Sequence, residues 1–317
     1  MSMRLARSRT LLGAFIAALC VLLATPAPAE DQARTITSGG SARTFVVFIP
    51  ERVKAARRPA PVVLVLHGGL GTGTQVRRHM GFDAVAEREG LIAVYPDGLY
   101  RGWNDGRVDL QRRRSGEPDD VAFLRQIVRA LQSEGLAESG RVFAIGVSNG
   151  GMMAFRLACE ASEDFNGIVT VIANLSVELS RACAPKRGIP VLAIQGTKDP
   201  LMPWSGGGVG LRGERGQVIS ADATLAHWVK VNGCGTRPET SALPDRDPGD
   251  GTSLKLERYS CPEARRVARI TVVNGGHTVP SLRASTQPLL DAFLGRRNSD
   301  IETAEVAWRF LAGQDLR

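Results

Sequence analysis

Arg141-Val142-Phe143-Ala144-Ile145-Gly146-Val147-Ser148-Asn149-Gly150-Gly151-Met152 is the stretch whose reading decides the fold of this chain. Arg141 to Ile145 is a short apolar run of the kind buried in a mostly parallel sheet, and Asn149 to Cys159 carries a helical pattern. Between them Gly146-Val147-Ser148-Asn149-Gly150 fits G-x-S-x-G. A serine there occupies a sharp strand-to-helix turn at positive φ that lifts Oγ out of the sheet, and the flanking glycines let strand and helix pack closely. Ser148 is therefore the candidate nucleophile; a serine that merely caps the following helix is the alternative.

Similar apolar runs stand on either side: Thr44 to Ile49, Val62 to Leu66, Leu91 to Tyr95, Gly167 to Ile172, Val191 to Ile194 and Val267 to Val273. Asp119 to Leu131 places Val121, Leu124, Ile127, Val128 and Leu131 on one helical face, with Asp119 or Asp120 as its N-cap. Ala221 to Val231, Ser285 to Leu294 and Asp300 to Leu311 are further helices. Strand and helix in alternation predict an α/β fold with a mostly parallel central sheet and helices on both faces, whose ligands bind beyond the carboxyl ends of the strands. Gly98 to Pro118, Pro203 to Gln217 and Thr236 to Ser253 are irregular, and loops of that length commonly shape a site.

A serine hydroxyl needs an adjacent base, and the base an orienting carboxylate; on sheets of this kind they follow in the order Ser, acid, His. Only His227 and His277 follow Ser148. His227 lies inside a helical pattern, whereas His277 follows the last apolar strand in Asn274-Gly275-Gly276-His277, where a loop can return the imidazole over the elbow. Asp199, ending Gly196-Thr197-Lys198-Asp199 after a strand, is the expected acid, with Asp222 next. The oxyanion requires N–H donors: Asn149, directly after the nucleophile, and Gly69 of His67-Gly68-Gly69-Leu70-Gly71, with Leu70 as second choice. Those glycines also spell a weak nucleotide loop, but no Lys-Ser/Thr completes it. His67 is expected to pack beneath the site.

Hydrophobic residues make up 43% of the 317, charged 23% and aromatic 5%, which excludes a disordered, collagen-like or polytopic membrane protein. The formal charge of +8 singles out no partner, and no nucleic-acid binding is expected. Arg4, Arg7 and Arg9, the apolar run Leu11 to Leu23 and Ala27-Pro28-Ala29 read as a signal peptide over residues 1–29, removed near Ala29, leaving one domain from 30 to 317 in an extracellular or periplasmic space. The apolar run is too short for a stable membrane anchor. Without Cys20, four cysteines remain; of the three pairings, the local ones, Cys159 with Cys183 and Cys234 with Cys261, are expected in an oxidising compartment. No spacing suggests a metal site or a cofactor.

Leu66-His67-Gly68-Gly69, Tyr95-Pro96-Asp97-Gly98, Trp103-Asn104-Asp105, Asp119-Asp120-Val121-Ala122-Phe123, the Ser148 pentapeptide with Gly151-Met152, Gly196-Thr197-Lys198-Asp199 and Gly275-Gly276-His277-Thr278 stand in one order. That order resembles secreted polyhydroxybutyrate depolymerase-like (LpqC-type) esterases, relatives of the feruloyl and acetyl-xylan esterases, over residues 35 to 295. The resemblance implies an α/β-hydrolase fold and the triad Ser148, Asp199 and His277. Val279-Pro280-Ser281 stands where members commonly have Trp-Pro-Gly, which removes an aromatic wall from the expected pocket. Trp103, Asn104 and Trp204, in long loops near strand ends, are candidate substrate contacts, with loop packing as the alternative. Arg112-Arg113-Arg114 could attract an acidic polymer but reads first as a solvated basic loop.

The expected activity is serine esterase chemistry on a small ester or soluble hydroxyalkanoate oligomer, by a monomer; feruloyl or acetyl-xylan ester hydrolysis is the alternative. A serine peptidase and a non-catalytic binding protein are less favoured. The triad and its sheet occupy nearly all of Glu30 to Arg317, with Arg296 to Arg317 as one packed amphipathic tail, so no module for adsorbing to solid polymer is expected.

Overall fold

The computed structural model describes residues 30–108, 117–262, 264–285 and 288–316. The expected signal peptide, with Ala29 and Cys20, and the run Arg112 to Arg114 lie outside the described residues. One sheet contains β1 (Glu30–Ser38), β2 (Ser41–Ile49), β3 (Ala60–Leu66), β4 (Ile92–Pro96), β5 (Ala137–Val147), β6 (Ile168–Val171) and β7 (Val191–Gly196). After a separate two-residue pair, β8 (Gly207–Gly208) and β9 (Gln217–Val218), the same sheet is completed by β10 (Pro238–Ala242), β11 (Ser253–Tyr259) and β12 (Val267–Val273). The spatial order is β1-β2-β4-β3-β5-β6-β7-β12-β11-β10. From β4 to β12 neighbouring strands run parallel, and antiparallel pairs close both edges.

The central strands are apolar at consecutive positions because both of their faces are covered. Val62, Leu64 and Leu66 of β3 enter one core, Val63 and Val65 the other. Helices Asp120–Ser133, Asn149–Glu160 and Ala221–Val231 close the first; Gly73–Met80, Phe82–Glu89 and Thr303–Leu311 close the second. The tail expected to pack on the body does so through Trp308, Phe310 and Leu311, all buried.

Thr236 to Ser253, expected to be irregular, contains β10, and β1 and β11 were not anticipated either. These strands lie at or next to the edges of the sheet, and their side chains alternate with solvent or face it outright, so they show no continuous apolar run; pairing with a buried neighbour holds them, as Gln32 opposite the buried Val47 illustrates. The helices Gly73–Met80 and Phe82–Glu89 are too short to show a convincing period, but Thr72 caps the first through Gln75 N–H at 3.2 Å and Gly81, at φ 59°, separates the two.

Cys159 is bonded to Cys183 and Cys234 to Cys261. The first bond ties the helix carrying Ser148 at its start to the C-cap of the helix Val177–Ala182, and the second joins the segment after Ala221–Val231 to the segment after β11. Each closes a loop of moderate length, separations of 24 and 27 residues, worth roughly 3 kcal/mol in the chain-entropy account. Among the described residues, no helix is long and apolar enough to cross a membrane.

Candidate active site

Ser148 sits between β5 and the helix Asn149–Glu160 at φ 53° and ψ −118°, a conformation that costs a non-glycine residue roughly 1–3 kcal/mol. Its N–H donates to the Val171 carbonyl at 2.8 Å and its own carbonyl accepts from Met152 N–H at 3.0 Å, so the turn is held by β6 and by the helix. A Cβ on Gly146 would collide with the Gly150 backbone, and one on Gly150 with the carbonyls of Leu66 and His67. The two glycines of the pentapeptide are thus demanded by close backbone approach, not by turn flexibility alone.

His277 Nε2 lies 2.9 Å from Ser148 Oγ, and its Nδ1 lies 2.7 Å from Asp199 Oδ2. A carboxylate can only accept, so Nδ1 carries the proton and Nε2 is left to take the serine proton. Asp199 is held in turn by the N–H groups of Leu201 and Met202, both donating to Oδ1 at 2.8 Å. Both side chains are buried. The acid and base loops brace each other: Lys198 N–H donates to the Gly275 carbonyl at 2.8 Å, and Asn274 N–H to Thr197 Oγ1 at 2.9 Å. The other candidates are engaged elsewhere, Asp222 with Arg269 at 2.6 Å and His227 edge-on against Trp228.

The glycine loop lies against the elbow: a Cβ on Gly68 would stand 3.6 Å from Ser148 Cβ, and one on Gly69 would stand 3.9 Å from Asn149 Cβ. The Leu70 N–H donates to the Arg101 carbonyl at 2.7 Å, which removes Leu70, the second choice, as an oxyanion donor and leaves Gly69 beside Asn149. Sequence reasoning valued Asn149 only for its backbone N–H, yet its buried side chain is a strut. Asn149 Oδ1 accepts from Trp103 N–H at 2.7 Å, and Nδ2 donates to the Trp103 carbonyl at 3.0 Å and to Asp105 Oδ2 at 2.5 Å. Arg107 is paired with Asp105 at 2.7 Å, and Trp103 Nε1 donates to the His67 carbonyl at 2.8 Å. The Trp103-Asn104-Asp105 motif therefore fastens the glycine loop to the residue after the nucleophile.

This corrects the expectation for Trp103, which is fully buried and supports the loop from beneath instead of lining a pocket. Its indole area is best used as an anchor for an irregular segment. Asn104 is likewise engaged in the fold, its N–H on Asp120 at 2.6 Å and its amide on the Pro118 carbonyl at 3.1 Å. Trp204 is partly exposed and lines a narrow crevice with Asn174, Asp199 and Met202, its ring beneath the Arg269 guanidinium at 4.9 Å. Among the described residues no group of His, Cys, Asp or Glu is arranged to hold a metal ion.

His67 packs beneath the site, as expected. Nε2 accepts from Gly98 N–H at 2.9 Å while Nδ1 donates to the Gly68 carbonyl at 2.7 Å, an arrangement only the neutral ring satisfies. Burial holds its pKa below the ordinary 6.5 against the opposing pull of the Gly68 carbonyl and Asp97. Its contribution to stability is present above pH 6.5 and is lost as pH falls below that value toward the depressed folded pKa. We expect His67→Gln to lower Tm near neutral pH and to flatten the decline of Tm on acidification; a decline as steep as in the wild type would contradict the role.

The profile of the dienelactone hydrolase family matches residues 45–206, a span that includes Ser148 and Asp199 and ends before His277. NocK of Nocardia uniformis subsp. tsuyamanensis, assigned as an esterase, is 33% identical over 90% of this chain and 84% of its own. Feruloyl esterase C of Emericella nidulans is 26% identical over 77% of this chain and 80% of its own. Among solved structures, an acetyl xylan esterase from Aspergillus awamori superposes with a TM-score of 0.57 at 16% identity, covering 79% of this chain and 95% of that one.

Proposed function

The chain belongs to the dienelactone hydrolase family and is a carboxylic ester hydrolase of α/β-hydrolase fold, and from that premise we propose that it acts through an acyl-enzyme formed on Ser148. The observation that carries this reading is the unbroken chain Ser148 Oγ, His277, Asp199, with donor–acceptor distances of 2.9 and 2.7 Å. Ser148 Oγ attacks the ester carbonyl as its proton passes to His277 Nε2, and Asp199 stabilises the imidazolium and keeps Nδ1 in place. The amides of Asn149 and Gly69 receive the oxyanion. His277 returns the proton to the departing alcohol, then takes one from a water that attacks the acyl group, and passes it to Ser148 Oγ as the acyl–Oγ bond breaks and the acid leaves.

For the substrate, we infer short acyl or hydroxycinnamoyl esters such as those carried on plant polysaccharide, supported by the relationship to feruloyl esterase C. Hydroxyalkanoate oligomers are the second reading, resting on the motif order and on Val279-Pro280-Ser281, which leaves the pocket without the aromatic wall that favours aryl groups. The two disulfides support export to an oxidising compartment. A fluorophosphonate should add to Ser148 in proportion to loss of p-nitrophenyl acetate turnover, and methyl ferulate, acetylated xylan and hydroxybutyrate oligomers compared in parallel should rank the acyl groups. Absence of labelling would favour a binding protein, and cleavage of peptides faster than of esters would favour a peptidase.

A further inference from the structure

Parallel strands send all their carboxyl ends to one edge of the sheet, and Ser148, Asp199 and His277 lie there, just after β5, β7 and β12. The large apolar side chains most exposed among the described residues lie in loops leaving that same edge. Leu70 follows β3, Tyr100 follows β4 and Leu211 follows β7. After β12 come Leu282 and, on the short helix Pro288–Leu294, Leu289, Leu290 and Phe293. None projects from the segments at the other end of the sheet, 57–59, 134–136, 161–167 and 184–190. Scattered exposed leucines need no explanation, but apolar side chains gathered on the face that holds the nucleophile do.

These segments are fastened to the site. Leu70 and the turn carrying Tyr100 are joined by the Leu70 N–H to Arg101 carbonyl bond at 2.7 Å. The helix Pro288–Leu294 is held behind His277, whose N–H donates to the Leu294 carbonyl at 2.7 Å, while Gly276 N–H donates to the Arg296 carbonyl at 2.9 Å. Before that helix, Arg283 is anchored on the carbonyls of Arg78 and His79 at 3.4 and 2.5 Å. Leu289 is 88% exposed and Phe293 60%, although the backbone after the helix is bonded directly to the base loop.

We propose that this rim is a docking surface for an apolar ester phase, an emulsified or aggregated ester whose surface the enzyme adsorbs to before a single chain enters the site. The proposal rests on the esterase reading and deepens it, and it departs from the expectation of a purely soluble substrate. The occupant is argued from continuity: these side chains and Ser148 share the carboxyl edge of the sheet, and the substrate is what must reach Ser148 at that edge. Apolar side chains on a short anchored helix gain free energy on entering such a phase in proportion to the area they bury.

The double variant Leu289→Ser/Phe293→Ser tests this, since both side chains are exposed and their loss leaves the cores intact. Wild-type turnover of tributyrin should rise steeply once the ester exceeds its solubility and forms droplets. The variant should lose roughly tenfold of that emulsion rate while staying within about twofold on dissolved p-nitrophenyl acetate. Ser148→Ala, which keeps the rim, should co-float with tributyrin droplets, and the same protein carrying the two serines should not. Equal emulsion and soluble rates in wild type and variant, or a rim whose only effect is to hold a dimer detected by light scattering, would overturn the proposal. If no p-nitrophenyl acetate is hydrolysed by the wild type, the esterase reading fails, while co-flotation still judges the rim.

Discussion

Replacing Ser148 with alanine is expected to lower ester turnover by roughly 10⁴- to 10⁶-fold, the loss typical of removing a nucleophile from a working triad. Folding should be unaffected. Alanine meets the same backbone demand at φ 53° and ψ −118°, and the N–H bond to Val171 and the carbonyl bond from Met152 are main-chain contacts that survive the change. Only the hydroxyl at 2.9 Å from His277 Nε2 is lost, and His277 keeps its bond to Asp199. Turnover of p-nitrophenyl acetate and a thermal melt on the same preparation check both halves. A variant that retains wild-type turnover would remove Ser148 from the mechanism, and one that unfolds would show the hydroxyl to be structural.

The largest stability loss is expected at Asp120. Its carboxylate is fully buried and receives Arg43 Nη2 at 2.6 Å on one oxygen and Asn104 N–H at 2.6 Å on the other. Arg43 is itself buried, lying over the Phe123 ring at 3.9 Å. Asp120→Ala strands that guanidinium without an anion, which costs roughly 3–5 kcal/mol and should lower Tm by about 10 °C. Asp119→Ala, one residue earlier, removes a helix cap to Ala122 N–H and should cost only about 1 kcal/mol. Chemical denaturation of the two variants side by side distinguishes them; equal losses would mean that the buried pair contributes no more than the cap. Because Asn104 and Trp103 adjoin the strut to Asn149, Asp120→Ala should also reduce kcat more than KM changes.

That pair of aspartates shows where the reading of the chain succeeds and where it stops. Either residue could cap a helix by its position, and nothing in Asp119-Asp120 says which one turns inward. The choice is made by Arg43, 77 residues away in sequence. The same holds for Trp103, which a loop position suggested as a pocket wall and which the Asn149 side chain and the His67 carbonyl make an internal anchor. The strands β1, β10 and β11 lack a continuous apolar run because they lie toward the edges, so only pairing reveals them.

The elbow, the order of acid and histidine and the parallel core are different in kind. A strand, a tight turn between two glycines and a helix are imposed by sterics among consecutive residues, and two-faced burial makes apolar runs of β3, β5 and β7 visible as they stand. Those features the amino-acid sequence determined by itself. The tertiary structure alone decided that Leu70 is spent on Arg101, that Asp222 pairs with Arg269 and that Asn149 braces the oxyanion loop. Each depends on which distant groups meet in a buried space, where an unpaired donor or charge is costly enough to select one partner from several that the chain order permits.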